Sequence, residues 1–430
     1  MPRGAGLAVG VLLALGAGGA AGYLIADSQE EDPATAPAPE IVIQDSAPGS
    51  GEPTETAAEI GFPAFATRNT TRVAGADPVA DAAGIALASY PSLAEVPAPD
   101  AAILAPAEDW QSAIAASSLA AEPIAAPILL GGPDEIPTLT ASALSSLVLE
   151  GIDRADGAQL ITVGDVATPE GIDAVEISGE DPAEIAKAID RQRARLSGEQ
   201  DPDHIIVVSS EEPALAMPAA AWAARSGDPI LFSERDSVPD PTLEVLERHP
   251  KADVYVLAPP SVISSKVIEK LDKAGGSVER ISEATDPVDS AIDFAAYVDD
   301  DFGWNIFDPG HGFALANLSR PADAAAAAPL AAGGKPGPLL LTDSATEIPS
   351  ALRGFILDVK PGFDTAPERA VYNHIWIIGD ASAISVGFQA QIDELAKLVP
   401  VTAGTAGPEF ELEEPESTPD TPASPDSRND

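Results

Sequence analysis

The chain has 430 residues, of which 45% are hydrophobic and only 5% aromatic, so its cores must be built mainly from aliphatic side chains. Its 69 acidic residues against 23 lysines and arginines give a formal charge of -46, which excludes broad contact with nucleic acid or anionic lipid. The absence of cysteine excludes disulfide bonds, thiolate metal sites and a cysteine nucleophile.

Residues 1–26 are typical of an export segment. The positive charge of Arg3 precedes an uncharged stretch from Leu7 to Ile25, and acidic residues follow from Asp27. Because the stretch is close to the roughly 20 residues that span a bilayer, a cleaved signal peptide and an uncleaved membrane anchor both remain open. Either alternative exports the rest of the chain, since the positive charge stays on the cytoplasmic side.

Two segments have the composition of disordered chain. Residues 27–67 are rich in proline and acidic residues and show no hydrophobic periodicity, which predicts an extended linker. Residues 401–430 combine five prolines with acidic side chains, which predicts a disordered acidic tail.

Between these flanks, one pattern recurs three times. A short apolar run begins at Pro127, Pro229 and Pro338, spaced by 102 and 109 residues, and each run follows an alanine-rich segment and precedes an Ile-Pro or Val-Pro pair. A period this long indicates a small domain rather than a solenoid unit. We therefore predict three repeats, at residues 68–173, 174–277 and 278–400.

Each repeat is predicted to alternate strands and helices in the order β-α-β-α-β-α-β-α, with a helix at its end. Asp-Pro pairs at Asp77, Asp181 and Asp286 are typical helix starts, because aspartate accepts from free backbone N–H groups and proline fits the first turn. Continuously apolar strands between helices favour a parallel sheet covered on both faces. The predicted fold class is α/β, with three tandem small doubly wound parallel-sheet units. The alanine-rich helix is the one we expect to be most buried, against a neighbouring unit.

Three stretches carry a resemblance to a known family. They run from Arg72 to Asp77 (RVAGAD), from Asp323 to Ala331 (DAAAAAPLA) and from Trp376 to Asp380 (WIIGD). Together with the threefold order of the motifs, they resemble the cell wall-binding repeat 2 family of bacterial surface proteins. The resemblance implies an exported protein that holds itself to the cell wall non-covalently through anionic polymers, with three subdomains around a pseudo-threefold axis.

The sequence departs from the family pattern at several positions. The arginine of the opening strand is present as Arg72 and Arg280 but is replaced by Glu176 in the second repeat. The helix aspartate, Asp323 in the third repeat, is Ser112 in the first and Leu215 in the second.

Four residues are candidates for contact with wall polymer. Arg72 and Arg280 end equivalent strands and could bind anions through charge-assisted hydrogen bonds, although ion pairs with the protein's own carboxylates are an alternative. Trp110 follows a strand, at the sheet edge where ligands usually bind, although core packing is its alternative. Asp323 is included because it matches the family's helix aspartate.

The remaining motifs do not indicate an enzyme or a cofactor. Gly333-Gly334-Lys335 lacks the spacing and hydroxyl group of a phosphate-binding loop, and the four histidines lack metal-ligand spacing. We predict no cofactor and no metal. The favoured function is a non-catalytic exported cell-envelope protein that binds cell-wall polysaccharide or a secondary wall polymer. The alternatives are a protein–protein scaffold on the cell surface and an envelope enzyme such as a wall hydrolase, and the oligomeric state stays open.

Overall fold

The computed structural model describes residues 65–91, 98–198, 201–332, 336–364 and 366–401. The predicted export segment, the predicted linker as far as residue 64 and the predicted tail after residue 401 lie outside these ranges. Within them, no helix combines the length and apolar character needed to cross a membrane.

The strands of the described ranges are short and mostly apolar. In chain order they are β1 (Phe65–Ala66), β2 (Thr70–Val73), β3 (Ala102–Pro106), β4 (Ile128–Gly131), β5 (Leu160–Val163), β6 (Ala174–Ile177), β7 (His204–Ser209), β8 (Ile230–Ser233), β9 (Asp253–Leu257), β10 (Val278–Arg280), β11 (Gly312–Asn317), β12 (Pro336–Thr342), β13 (Gly362–Phe363), β14 (His374–Ile378) and β15 (Val399–Pro400).

The α-helices of the same ranges lie between these strands. In chain order they are α1 (Pro78–Ser89), α2 (Trp110–Ala115), α3 (Thr138–Ser146), α4 (Pro182–Ser197), α5 (Pro213–Ser226), α6 (Asp240–Arg248), α7 (Ser265–Ala274), α8 (Pro287–Ala296), α9 (Asp323–Ala327), α10 (Pro329–Ala332), α11 (Ser350–Asp358) and α12 (Val386–Leu395).

Three sheets of four or five strands form the core of the fold. The first has the order β4-β3-β5-β6 and the second the order β10-β9-β7-β8, and all their pairings are parallel. The third has the order β1-β2-β14-β11-β12, in which only β1 is antiparallel. Parallel strands need crossover connections, and helices supply them, so the predicted α/β class with repeated parallel-sheet units is confirmed.

The sheets are offset by one strand from the sequence repeats. The opening strands of the second and third repeats, β6 and β10, pair with the fourth strand of the repeat before them, whereas the opening strand of the first repeat, β2, pairs with β14 of the third. The three registers are equivalent, and they pair Glu176 with Thr162, Arg280 with Val256, and Arg72 with Ile377. The opening strand of the first repeat, β2, therefore completes the last sheet and joins the first repeat to the third.

The three Asp-Pro pairs begin helices, as the sequence predicts. The carboxylate of Asp77 accepts from the backbone N–H of Ala80 at 2.9 Å, and that of Asp181 accepts from Glu184 at 2.9 Å. Asp286 accepts in the same way, with a prolyl residue in the first turn of all three helices. Such N-caps stabilise a helix by about 1 kcal/mol each.

The alanine-rich segments lie at the centre, where the repeats meet. α5 of the second repeat packs against the 3₁₀ turn Ala116–Ala120 of the first and against α9 and α10 of the third. Nearly all of their alanines are buried. Alanine permits this packing because its small side chain lets helices approach closely, so the prediction that these segments pack against neighbouring units is confirmed.

The predicted closing helix is present in two repeats and absent in one. α7 follows β9 and α12 follows β14, but no helix forms in residues 164–173 after β5. The prediction of a final helix in the first repeat is therefore wrong. The strand predicted at residues 313–315 is confirmed within β11.

Candidate functional site

Arg72 is a buried residue that holds the loop between β14 and α12. Only 3% of its surface is exposed. Its Nε donates to Oε1 of Gln389 at 2.8 Å, and its Nη1 donates to the carbonyl oxygens of Gly379 and Asp380 at 2.7 and 3.0 Å. Its Nη2 donates to the carbonyl of Ser385 at 3.3 Å. Burial lowers the pKa of Arg72, with nearby carboxylates acting in the opposite direction.

Arg280 makes the same kind of contact in the second sheet. Its Nη1 donates to the carbonyl oxygen of Ala258 and its Nη2 donates to that of Ile263 at 2.9 Å. Both carbonyl groups belong to the loop between β9 and α7. The two arginines, which end equivalent strands, therefore have equivalent positions. Each donates to backbone carbonyl groups of the loop after the neighbouring strand, which is β14 for Arg72 and β9 for Arg280.

Glu176 occupies the corresponding position in the first sheet. A carboxylate cannot donate hydrogen bonds to backbone carbonyl groups, so it cannot replace the arginine in this role. Of the three equivalent loops, the one beside Glu176 is also the one that leads into no helix. The arginine and the closing helix thus occur together and are lost together.

Asp323 lies in a buried cluster where the third repeat meets the first. Its carboxylate and that of Asp81 on α1 are both fully buried, and Arg320 lies between them. Nη2 of Arg320 is 2.5 Å from Oδ2 of Asp81, and its Nε is 2.9 Å from Oδ2 of Asp323. Asp81 also accepts from the backbone N–H groups of Gly75 at 2.8 Å and Gly379 at 3.2 Å. Hydrogen bonds from two strand ends therefore meet on one carboxylate.

The cluster holds two carboxyl groups against one guanidinium group. Burial raises the pKa of Asp323 to about 7, against the opposing effect of Arg320. Burial also raises the pKa of Asp81 well above its usual range, and the neighbouring Asp323 adds to the increase. Both shifts favour the uncharged form of the carboxyl group, which lowers the cost of enclosing two acidic groups.

Charged residues occupy this junction but not the matching positions of the other two. α2 packs against α4 and α5 packs against α8, as α9 packs against α1. In place of Asp323 and Asp81, these junctions have Ser112 with Ile185 and Leu215 with Ser290. The buried ion pairs are thus specific to the junction that joins the two ends of the folded chain.

Trp110 lies apart from this cluster, between the first and second repeats. It is half-buried at the start of α2, and its ring meets Phe232 of β8 edge to face, with centroids 6.1 Å apart. Asp109 caps the helix by accepting from the backbone N–H of Ser112 at 3.2 Å. The structure therefore brings Arg72 and Asp323 to one region and leaves Arg280 and Trp110 at two others.

The sequence analysis did not identify a group of arginines in the second repeat. Arg191 and Arg195 on α4 and Arg248 at the end of α6 line a cleft of about 190 Å³, together with Asp201. Four of the 23 lysines and arginines lie between Lys187 and Arg195, and this concentration is the signal that could have found the cleft. We call this feature the arginine cleft.

The described residues contain no group of three or more histidine, aspartate or glutamate side chains arranged to hold a metal ion. Hydrogen bonds within the protein hold the turn that contains His311. Nε2 of His311 is 3.1 Å from Oδ1 of Asp308, and the backbone N–H groups of Gly310 and His311 donate to Oδ1 of Asn373 at 2.8 and 3.1 Å.

Comparison with known proteins gives matches at the level of structure. Neither a family model nor a curated protein sequence matches the chain. Cwp6 from Clostridium difficile shares the fold with a TM-score of 0.60 at 19% identity, over 76% of this chain and 47% of Cwp6. Cwp8 from Clostridium difficile gives a TM-score of 0.59 at 18% identity, over 77% of this chain and 52% of Cwp8. The chain thus spans about half the length of each of these two structures, and the likeness shows that they share a fold.

Proposed function

We propose that the protein is a non-catalytic, exported cell-envelope protein whose three α/β repeats bind cell-wall polymer non-covalently. The repeats are those predicted at residues 68–173, 174–277 and 278–400. The main support is the fold shared with Cwp6 and Cwp8, which are cell wall proteins, over about three quarters of this chain. The threefold order of motifs that resemble the cell wall-binding repeat 2 family adds support from the sequence.

The proposal that the protein is not an enzyme is supported by the burial of the acidic cluster of Asp81 and Asp323. Asp81 and Asp323 have the strongly raised pKa values that an acid catalyst needs, but both carboxyl groups are fully buried and bound to Arg320. A substrate cannot reach them without opening the junction. Their contacts favour a structural role.

The predicted contacts to polymer remain proposals with unequal support. Arg72 and Asp323 are engaged inside the protein, so their geometry favours holding the fold. Trp110 is half-buried beyond the end of β3, so part of its ring is accessible for stacking on a sugar. Arg280, whose guanidinium is also half-buried, already donates to two carbonyl groups.

Export is proposed from the N-terminal segment, as a secreted or a membrane-anchored protein. Mass spectrometry of the N-terminus of the mature protein distinguishes the two forms.

Co-sedimentation with isolated cell walls of the source organism tests wall binding. The purified full-length chain is mixed with walls before and after acid removal of the secondary polymers. We expect it to sediment with intact walls and to stay in solution with stripped walls. Equal binding to both preparations would point to peptidoglycan. No binding to either preparation at low or high salt would contradict the proposal and favour a protein partner.

A further inference from the structure

The arginine cleft arises from the helical spacing of its residues. Arg191 and Arg195 are four positions apart on α4, so their side chains leave the same face of the helix. α6 packs against α4 and ends at Arg248, which places a third guanidinium group beside the other two. The lining therefore contains three guanidinium groups and one carboxylate, from Asp201.

Two of these arginines have only weak partners in the described part of the chain. Nη2 of Arg191 is 3.6 Å from Oε2 of Glu244, and both side chains are about half exposed. Nη1 of the exposed Arg195 donates to Oε1 of Gln192 at 3.4 Å. Exposed pairs of this kind contribute little to stability because water and salt screen them, so a ligand can replace them at little cost.

Two arginines of this region, Arg193 and Arg248, make contacts that hold the fold together. Arg193 donates to the carbonyl oxygens of Ser118 and Glu122 at 2.8 and 2.9 Å, and it thereby ties α4 to the first repeat. Arg248 is 3.0 Å from the buried carboxylate of Asp190. Arg191 and Arg195 lack such contacts with buried groups.

The carboxylate in the cleft can move aside. The side chain of Asp201 is 84% exposed, and its Oδ1 is 3.2 Å from Nδ1 of the buried His249. An exposed side chain can rotate into solvent without unfolding its surroundings. Three guanidinium groups would then face the same space.

We propose that the arginine cleft binds a phosphate or carboxylate group, which under the proposed function belongs to the wall polymer. Guanidinium groups recognise both kinds of anion through paired N–H donors. On a chain with a net charge of -46, most other surface repels an anion, so a cleft lined by three arginines is a place where a polyanion can approach closely. The inference depends on the proposed function only for the source of the anion.

Isothermal titration calorimetry of the full-length chain with pyrophosphate and with trigalacturonate tests the cleft. The two probes distinguish a phosphate site from a carboxylate site. At about 20 mM salt, where screening is weak, we expect saturable binding of at least one probe and weaker binding as salt is added. Arg195→Gln should weaken binding at least fivefold, and Arg191→Gln with Arg195→Gln should abolish it.

Arg353→Gln is the matched control. Arg353 is exposed on α11, and its Nη2 donates to Oε1 of Gln391 at 3.5 Å, so its replacement removes the same charge and a similar contact elsewhere. Its affinity for the probe should stay within twofold of the unmodified chain. No saturable binding of either probe, or equal binding by the Arg195 and Arg353 variants, would overturn the inference.

The same variants separate this inference from the proposed function in the wall co-sedimentation experiment. If the unmodified chain sediments with walls and the double variant sediments equally, the function stands and the cleft is not its site. If the unmodified chain binds a probe through the cleft but does not sediment with walls, the anion site stands and wall binding fails.

Discussion

Replacement of Arg72 by methionine is expected to destabilise the protein, because Arg72 joins the two ends of the folded chain. Its guanidinium group lies on β2, near the start of the described chain, and donates four hydrogen bonds to residues between Gly379 and Gln389. Methionine has a similar length and apolar stem but no donor. The change therefore removes the hydrogen bonds and keeps most of the packing.

The size of the effect follows from these contacts. Hydrogen bonds that involve a charged group contribute about 1.5–3 kcal/mol each, so four contribute at least about 6 kcal/mol. The four bonds come from one guanidinium group, so their contributions do not add fully. We expect a net loss of about 2–4 kcal/mol in the free energy of unfolding. Arg280→Met, which removes two such bonds at a half-buried site, should cost about 1 kcal/mol.

Urea unfolding followed by circular dichroism measures both losses, and hydrogen exchange locates them. In Arg72→Met, amides of α12 should exchange faster than those of α7, whose own arginine is intact. Arg353→Met, at an exposed position, serves as the control and should change stability by less than about 0.5 kcal/mol. If Arg72→Met unfolds at the same urea concentration as the unmodified protein but no longer binds walls, the structural role is wrong and Arg72 is a polymer contact.

Three further predictions use the same unfolding assay. Burial raises the pKa of Asp323 to about 7, so the contribution of this carboxyl group to stability is greatest below its unfolded pKa of about 4 and is lost as pH rises to about 7. Asp323→Asn should flatten this dependence of stability on pH, and an unchanged slope would contradict the prediction. The carboxylate of Asp228 raises the pKa of His204, so the stabilising contribution of the protonated histidine is present below about pH 6.5 and is lost as pH rises through the folded pKa. His204→Gln should remove this loss of stability with rising pH, and a pH dependence that persists in the variant would contradict the prediction. Gly75→Ala should destabilise by about 1–3 kcal/mol, because a Cβ atom would lie 2.4 Å from a backbone nitrogen, whereas Gly354→Ala, in an open helical position, should stabilise by about 0.5–1 kcal/mol; equal effects would contradict the reasoning.

Local features of the fold were predictable because their causes are local. The carboxylate of Asp77 caps a nitrogen three residues away, Asp181 does the same, and Asp286 caps the nitrogen of Val288 two residues away. The strands were readable as continuous apolar runs, because both faces of each sheet are covered. The prediction of a closing helix in the first repeat is wrong. It rests on the pattern of the other two repeats, and the position that departs from that pattern, Glu176, lies outside residues 164–173.

The candidate site shows the limit of motif reasoning most clearly. The motifs predict polymer contact at Arg72, Arg280 and Asp323, but a motif does not indicate whether a charged side chain faces solvent or the protein's own backbone. The partners of Arg72 lie up to 317 positions away in the sequence. The arginines of the cleft were visible as a local concentration of charge, but their exposure and their position beside Arg248 depend on how α4 packs against α6.

The α/β class, the three repeats and the positions of most strands and helices follow from the amino-acid sequence, because apolar periodicity and helix caps act over a few residues. The tertiary structure was needed to place β6 and β10 in the sheet of the repeat before them and β2 in the last sheet. It also brings Asp81 and Asp323 onto one guanidinium group, that of Arg320. These outcomes depend on which distant surfaces come together, and the free energy of burying a charged group is set by the partners it meets there.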